Sequence, residues 1–164
     1  MTRQVAAQRA LETIAHLGGK AVEFRNKWLT IQAFSSEFER RNQRKTLIST
    51  VSTCLSEEDA LKLLDLYSED IDYLRSNPVG NLSLAETHDN FYRNAQSDIN
   101  EVGKTENSAA KSVGFLLCVI YQVRCNVEHG KKQLGTARSQ KLFGISNKIL
   151  DSIIELLLKE AEAA

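Results

Sequence analysis

The chain has 164 residues, of which 42% are hydrophobic and 26% charged, as is typical of a globular protein with a sizeable core. Its 21 basic side chains balance its 21 acidic ones, which excludes an overall field that attracts nucleic acid or an anionic membrane. Any contact with RNA must therefore rest on a local patch. One proline and eight glycines are too few turn signals for a many-stranded β architecture. Apolar residues recur at helical spacing almost throughout, so we predict an all-α, antiparallel helical bundle that forms one domain over residues 1–164.

The first half of the chain predicts four helices from the spacing of its apolar residues. They cover about residues 3–17, 20–42, 47–55 and 57–76. The last of them follows Ser56, whose hydroxyl suits an N-cap, and carries three acidic residues in its first turn. The second ends in a basic run at residues 40–45.

The second half predicts three helices, over about residues 84–102, 107–128 and 138–161. The middle one is apolar nearly all round, so we expect it to be central and largely buried. In the first, His88 shares a face with Leu84 and Phe91, which favours a packed or interfacial histidine over a contact with RNA.

The cysteines and the N-terminal segment indicate the cellular compartment. Cys54, Cys118 and Cys125 are an odd number without a close pair, which is typical of a reduced protein. The N-terminal segment is too polar and periodic for a signal peptide, and no apolar run is long enough to span a membrane. We expect a cytoplasmic protein. No spacing of histidines, cysteines and acids resembles a metal site, so we expect neither a metal nor a cofactor.

Residues 121–132 end the apolar helix and include a side chain that packing does not explain. Gly130 suits the position after a helix end, and the basic residues around it complement the helix dipole. Arg124, however, falls inside the apolar arc of the helix, about 50° from its centre. A guanidinium cannot lose its charge, so it needs a partner or a water-filled cleft. Glu128, four residues on, is the candidate ion-pair partner.

The segment from Arg124 to His129 fits the R-x(4–6)-H signature of HEPN domains. The apolar helix before it, Asn126 within it, the His-Gly-Lys at its end and the closing amphipathic helix also resemble that family. The resemblance implies a HEPN-like bundle and, as in many members, a metal-independent endoribonuclease. Two positions depart from the family pattern: Cys125 stands where a polar residue is common, and Glu128 where an apolar or aromatic residue is expected.

The resemblance makes Arg124, Asn126 and His129 the predicted catalytic residues. Cleavage of RNA by its own 2′-hydroxyl requires two proton transfers and a cation for the charge on the phosphorane. Histidine transfers protons near neutral pH, and the arginine fork matches phosphate oxygens. Asn126 would hold the histidine tautomer or donate to phosphate. The expected products are a 2′,3′-cyclic phosphate and a 5′-hydroxyl.

Helix geometry adds a requirement to this site. In a regular helix, Arg124 and His129 point about 140° apart. Either the helix loosens before Gly130, or a second chain completes the site. The resemblance favours the second chain, and we predict an isologous homodimer whose two histidines provide base and acid.

The predicted RNA-binding residues are Lys131, Lys132, Arg138 and Lys141. The basic run at 40–45 either joins them or is a solvated helix end. The predicted function is a toxin or defence endoribonuclease that cleaves single-stranded RNA, with an antitoxin protein as a candidate partner. The alternative is a non-catalytic HEPN module that binds RNA or a protein, with Glu128 neutralising Arg124. An unrelated helical interaction domain is the third interpretation.

Overall fold

The computed structural model describes residues 19–34, 43–128 and 135–163. These residues form seven helices and no strand, which confirms the all-α prediction for the described part of the chain. The predicted helix over residues 3–17 lies outside the described residues, as does the end of the second helix. The helices are, in chain order, α1 (Lys20–Phe34), α2 (Gln43–Cys54), α3 (Glu57–Leu66), α4 (Ser68–Ser76), α5 (Arg93–Glu101), α6 (Ala109–Glu128) and α7 (Ala137–Ala163).

Helix α6 is the central element, as its apolar sequence predicted. Twelve of its 20 residues are buried, and it packs against α2, α3 and α5. Gly114 permits a close approach of α2, because a Cβ atom at this position would lie 2.8 Å from the Cα atom of Ile48.

Helices α1 and α7 pack against each other beside this core. The rings of Phe24 and Phe143 lie 5.7 Å apart, and the Asn147 amide donates to the carbonyl of Lys20 over 3.0 Å. One cluster of buried apolar side chains includes residues of all seven helices. The extent of the domain over residues 1–164 stays a prediction.

The helix predicted over residues 57–76 is divided in two. Its N-cap is confirmed, because the Ser56 hydroxyl accepts from the backbone N–H of Asp59 over 3.2 Å. The division falls at Tyr67, whose backbone leaves helical geometry. The Tyr67 hydroxyl donates to the carbonyl of Lys148 over 2.9 Å and lies 2.6 Å from the Ser152 hydroxyl. Contacts with α7 accompany the break, and they are not visible in local periodicity.

The prediction of a helix from residue 84 is wrong, because α5 begins only at Arg93. Residues 81–91 instead form a loop of successive turns, closed by a hydrogen bond from the N–H of Asn81 to the carbonyl of Phe91 (2.7 Å). The Asn81 side chain accepts from the N–H of Ser83, and His88 Nδ1 accepts from the N–H of Asn90. Such side-chain bonds offer the backbone an alternative to a helix.

His88 is consequently exposed within the chain. The interpretation as a packed histidine is wrong, because no helix places it beside Leu84 and Phe91. Phe91 alone turns inward, and its ring fills the space over Gly80 where a Cβ atom would lie 2.2 Å from Cε1. An interfacial role for His88 stays a prediction.

Candidate functional site

Arg124 lies at the C-terminal end of α6 and is mostly buried, with 20% of its side chain exposed. Its Nη2 atom is 2.7 Å from Glu128 Oε2, which confirms the predicted ion pair one helical turn away. The guanidinium lies 5.9 Å from the centre of the Tyr121 ring. Its Nε atom is buried and has no hydrogen-bond partner among the described residues. Arg124 is therefore paired, but only part of its donor capacity is used.

Tyr121 connects this arginine to α1 and α2. Its hydroxyl donates to Gln43 Oε1, and its ring packs 5.7 Å from that of Trp28. Burial, followed by the hydrogen bond and charge of Cys125, raises the pKa of Tyr121, so the phenol remains a donor at neutral pH. The sequence interpretation did not select Tyr121. Its position three residues before Arg124, on one face of the helix, was the available signal.

Arg44, from the basic run, forms an ion pair with Asp98 of α5. The Asp98 side chain is buried, whereas 40% of the Arg44 side chain is exposed. Burial raises the pKa of Asp98, and the charge and hydrogen bond of Arg44 oppose that rise. This part of the basic run thus contributes to packing, in addition to the two roles considered from the sequence. Residues 40–42 lie outside the described part of the chain.

Asn126 is buried on the other side of α6, about 200° around the helix from Arg124. Its Nδ2 atom donates to the carbonyl of Gly80 over 2.8 Å. Its Oδ1 atom accepts from the N–H of Leu82 (3.1 Å) and from Gln122 Nε2 (3.2 Å). The predicted catalytic amide therefore holds the start of the 81–91 loop.

The predicted RNA-binding residues are only partly described. His129, Lys131 and Lys132 lie outside the described residues. Arg138 is exposed on the first turn of α7, and its Nη2 atom donates to the carbonyl of Pro78 over 2.8 Å. The Lys141 ammonium lies 3.9 Å from the centre of the Tyr73 ring, in cation–π geometry. Both side chains remain near the surface at the start of α7.

A groove of about 360 Å³ separates the start of α7 and the end of α6 from the 81–91 loop and its flanks. We name it the α6–α7 groove. It brings together Asn126 and Arg138, two residues selected from the sequence, with residues of the loop that were not selected. The lining residues are Val79, Gly80, Leu82, Glu86, Phe91, Tyr92, Asn126, Thr136, Arg138, Ser139 and Leu142.

Comparison of the chain with protein-family models, with curated proteins and with solved structures finds no match. Across the described ranges, no helix has both the length and the apolar character needed to cross a lipid bilayer. Within the same ranges, histidine, cysteine and acidic side chains form no group of three or more that could hold a metal ion. The geometry at the end of α6 and the motif itself are therefore the basis for the function.

Proposed function

We propose that this chain is a cytoplasmic, metal-independent endoribonuclease of the toxin or defence type, built on an antiparallel HEPN-like bundle. It cleaves single-stranded RNA by attack of the 2′-hydroxyl and leaves a 2′,3′-cyclic phosphate and a 5′-hydroxyl. The observation that carries the proposal is Arg124, five residues before His129: its guanidinium is largely buried, and its Nε has no partner among the described residues. Packing alone does not require a charged residue at this position.

The ion pair with Glu128 is weak enough for Arg124 to exchange this carboxylate for another anion. Glu128 is 46% exposed, and an i,i+4 pair of this kind contributes only about 0.3–0.5 kcal/mol. An unsatisfied buried donor such as Nε costs about 1–3 kcal/mol. A phosphate that accepts from Nε and Nη together satisfies both donors in the bidentate geometry that arginine favours. We infer that a scissile phosphate replaces Glu128 as the partner of Arg124.

His129 provides the proton transfers in this proposal, and a two-fold homodimer provides a second histidine. The separation of about 140° between residues 124 and 129 on a regular helix supports a site shared by two chains. Lys131, Lys132, Arg138 and Lys141 bind the RNA backbone on either side. Since the chain has no net charge, this binding is weak and strongly dependent on salt. An antitoxin protein would act by covering the motif.

The proposal is tested by RNA cleavage in the presence of EDTA. Wild-type protein is expected to cleave single-stranded RNA, while His129→Ala and Arg124→Ala lose at least about 100-fold in rate. Arg25→Ala, an exposed arginine on α1, is the control and keeps full activity. End-group mapping should find the cyclic phosphate. Equal cleavage by the wild type and His129→Ala would remove His129 from the mechanism.

Light scattering tests the shared site separately. A dimer at micromolar concentration supports it, and a strict monomer that cleaves RNA at a rate proportional to its concentration contradicts it. Mixing Arg124→Ala with His129→Ala sharpens the result. In a shared site, the mixed dimer has one intact Arg124 facing one intact His129, a combination that neither variant dimer has. Activity above that of either variant is therefore expected, but below that of the wild type because the second histidine is missing.

The alternative is a non-catalytic HEPN-like module that binds RNA or a protein partner. The observation in its favour is the closed Arg124–Glu128 pair at 2.7 Å. Glu128→Gln distinguishes the two functions, because it releases Arg124 without removing it. Faster cleavage by this variant supports the ribonuclease. RNA binding without cleavage, in both the wild type and Glu128→Gln, supports the alternative.

A further inference from the structure

We propose that the α6–α7 groove binds a guanine base of single-stranded RNA. The inference rests on the proposed ribonuclease function, to which it adds a base preference. It is carried by four features of the groove: an apolar floor, an exposed aromatic ring, and, among the described residues, a buried amide with an unused donor and a carboxylate without a partner.

The floor of the groove is apolar and tightly packed. Val79, Phe91 and Leu142 line it, and all three are buried in the core. A volume of about 360 Å³ is near the lower end of the range for small-ligand pockets, which suits a single nucleoside rather than a peptide segment. Gly80 has no side chain, and the Phe91 ring occupies the space beside it, so the shape of the floor is fixed.

Tyr92 provides a surface for stacking. Its side chain is among the exposed large hydrophobic ones, at 37%. Its ring meets Phe91 edge-on, with centroids 4.7 Å apart and planes at 89°. This contact restrains the Tyr92 ring through its neighbour. Exposed aromatic rings of this kind are the usual platforms for unpaired bases.

Two polar groups of the groove select the base by its hydrogen-bonding edge. Asn126 uses one of its two amide hydrogens for Gly80, and the other has no acceptor within the described ranges. The exposed Glu86 forms no hydrogen bond or ion pair with any other described residue. An amide donor with a carboxylate acceptor complements guanine, which presents the O6 acceptor next to the N1–H and N2–H donors. Adenine and cytosine offer a carboxylate only an exocyclic amine, and uracil a single ring N–H.

Arg138 lies at the same groove and donates to Pro78 through one nitrogen. A guanidinium has five donors, so the others are suited to the phosphate of the bound nucleotide. Arg124 and Asn126 point to opposite sides of α6. A base in the groove and a phosphate at Arg124 therefore belong to different positions along the bound RNA or to different chains of a dimer.

Calorimetric binding of GMP, AMP, CMP and UMP to the wild-type protein tests the groove without cleavage. GMP is expected to bind roughly 5- to 150-fold more tightly than the other three nucleotides, as for a base edge read by a bidentate contact. Tyr92→Leu should weaken GMP binding by roughly the same factor through lost stacking, while Tyr92→Phe retains it. Glu86→Gln should remove the preference for GMP, and Glu69→Gln, an exposed glutamate on α4, should not.

Tyr92→Leu and Glu86→Gln both change exposed side chains, and an unchanged midpoint of thermal unfolding confirms that these two variants fold. Equal affinity for the four nucleotides, or GMP binding unaffected by Tyr92→Leu, overturns the inference. A 2′-O-methyl oligonucleotide with one guanine, which resists cleavage, tests the RNA assignment. If GMP binds and this oligonucleotide does not, the groove takes a free nucleotide and the RNA assignment fails.

The two proposals fail in different ways. If the protein binds GMP and the oligonucleotide selectively but cleaves no RNA, the guanine site is supported and the ribonuclease function is contradicted. If cleavage depends on His129 but shows no preference for guanine, and the four nucleotides bind equally, only the guanine site is contradicted.

Discussion

The two sides of the last turns of α6 use polar residues in opposite ways. On one side, Asn126 is 3% exposed, and its amide makes hydrogen bonds to Gly80, Leu82 and Gln122. On the other side, Arg124 is 20% exposed and pairs with a half-exposed carboxylate, and its Nε has no partner in the described part of the chain. The residues are two apart in sequence, but their environments differ completely.

The difference shows how much each of the two polar residues contributes to the stability of the fold. Removing a buried amide that is hydrogen-bonded to backbone groups lowers the free energy of unfolding, because those backbone groups lose their partner and remain shielded from water. An ion pair near the surface contributes little and exchanges its partner readily. Stability should therefore depend on the Asn126 side, and RNA chemistry on the Arg124 side.

The largest expected effect on stability is that of Asn126→Ala. The change leaves the carbonyl of Gly80 and the N–H of Leu82 without their partner, so the free energy of unfolding should fall by about 2–4 kcal/mol. Urea unfolding measures it, with the exposed Asn94→Ala as the control that changes little. A loss under about 1 kcal/mol would show that the 81–91 loop is held by other contacts.

Gly80→Ala tests the same side from the loop. The added Cβ atom would lie 2.2 Å from Cε1 of the Phe91 ring, and overpacking of this kind costs about 1–3 kcal/mol. The double variant with Phe91→Leu should recover part of that loss, because the smaller side chain leaves room. If thermal unfolding shows that the effects of Gly80→Ala and Phe91→Leu on stability simply add in the double variant, Gly80 and Phe91 are not coupled.

On the Arg124 side, Arg124→Gln should lower the free energy of unfolding by about 1 kcal/mol or less. The same variant should lose cleavage of every RNA, whereas the folded fraction of Asn126→Ala should still cleave RNA and lose only the preference for guanine. Urea unfolding and cleavage assays on the same preparations separate the two. A large loss of stability in Arg124→Gln would make Arg124 a structural residue and remove the contrast.

The smallest expected effect is a pH dependence at Asp98, which pairs with Arg44 of α2. Because burial raises the pKa of Asp98, the folded chain holds its proton at a pH where the unfolded chain has released it. Stability from this group therefore falls as pH rises from the ordinary carboxyl pKa through the raised value. Asp98→Asn lacks this decline.

Urea unfolding of both proteins at several values between acid and neutral pH measures the difference. The stability of Asp98→Asn relative to the wild type should increase as pH rises through that window. A relative stability that decreases over the same range would mean that the Arg44 pair lowers the pKa of Asp98 in the folded protein.

Much of the helical framework was predictable because helices depend on local periodicity. Three predicted features depend only on residues that are close in sequence: the burial of α6, the Ser56 cap and the Arg124–Glu128 pair. The helix predicted from residue 84 was wrong for the same reason. Leu84, Phe91 and Ala95 have helical spacing, but asparagine and histidine side chains satisfy the backbone of the 81–91 loop locally.

The sequence by itself determined the helical class of the described residues and selected Arg124 as the residue that helix packing does not explain. Only the tertiary structure decided that Asn126 holds Gly80, 46 residues away, that Arg44 meets Asp98 across 54 residues, and that Tyr121 meets Gln43 across 78. The physical reason is that a buried polar group must find its partner wherever the fold brings one. Helical periodicity indicates which side of a helix is buried, but it does not indicate which distant residue contacts that side in the folded protein.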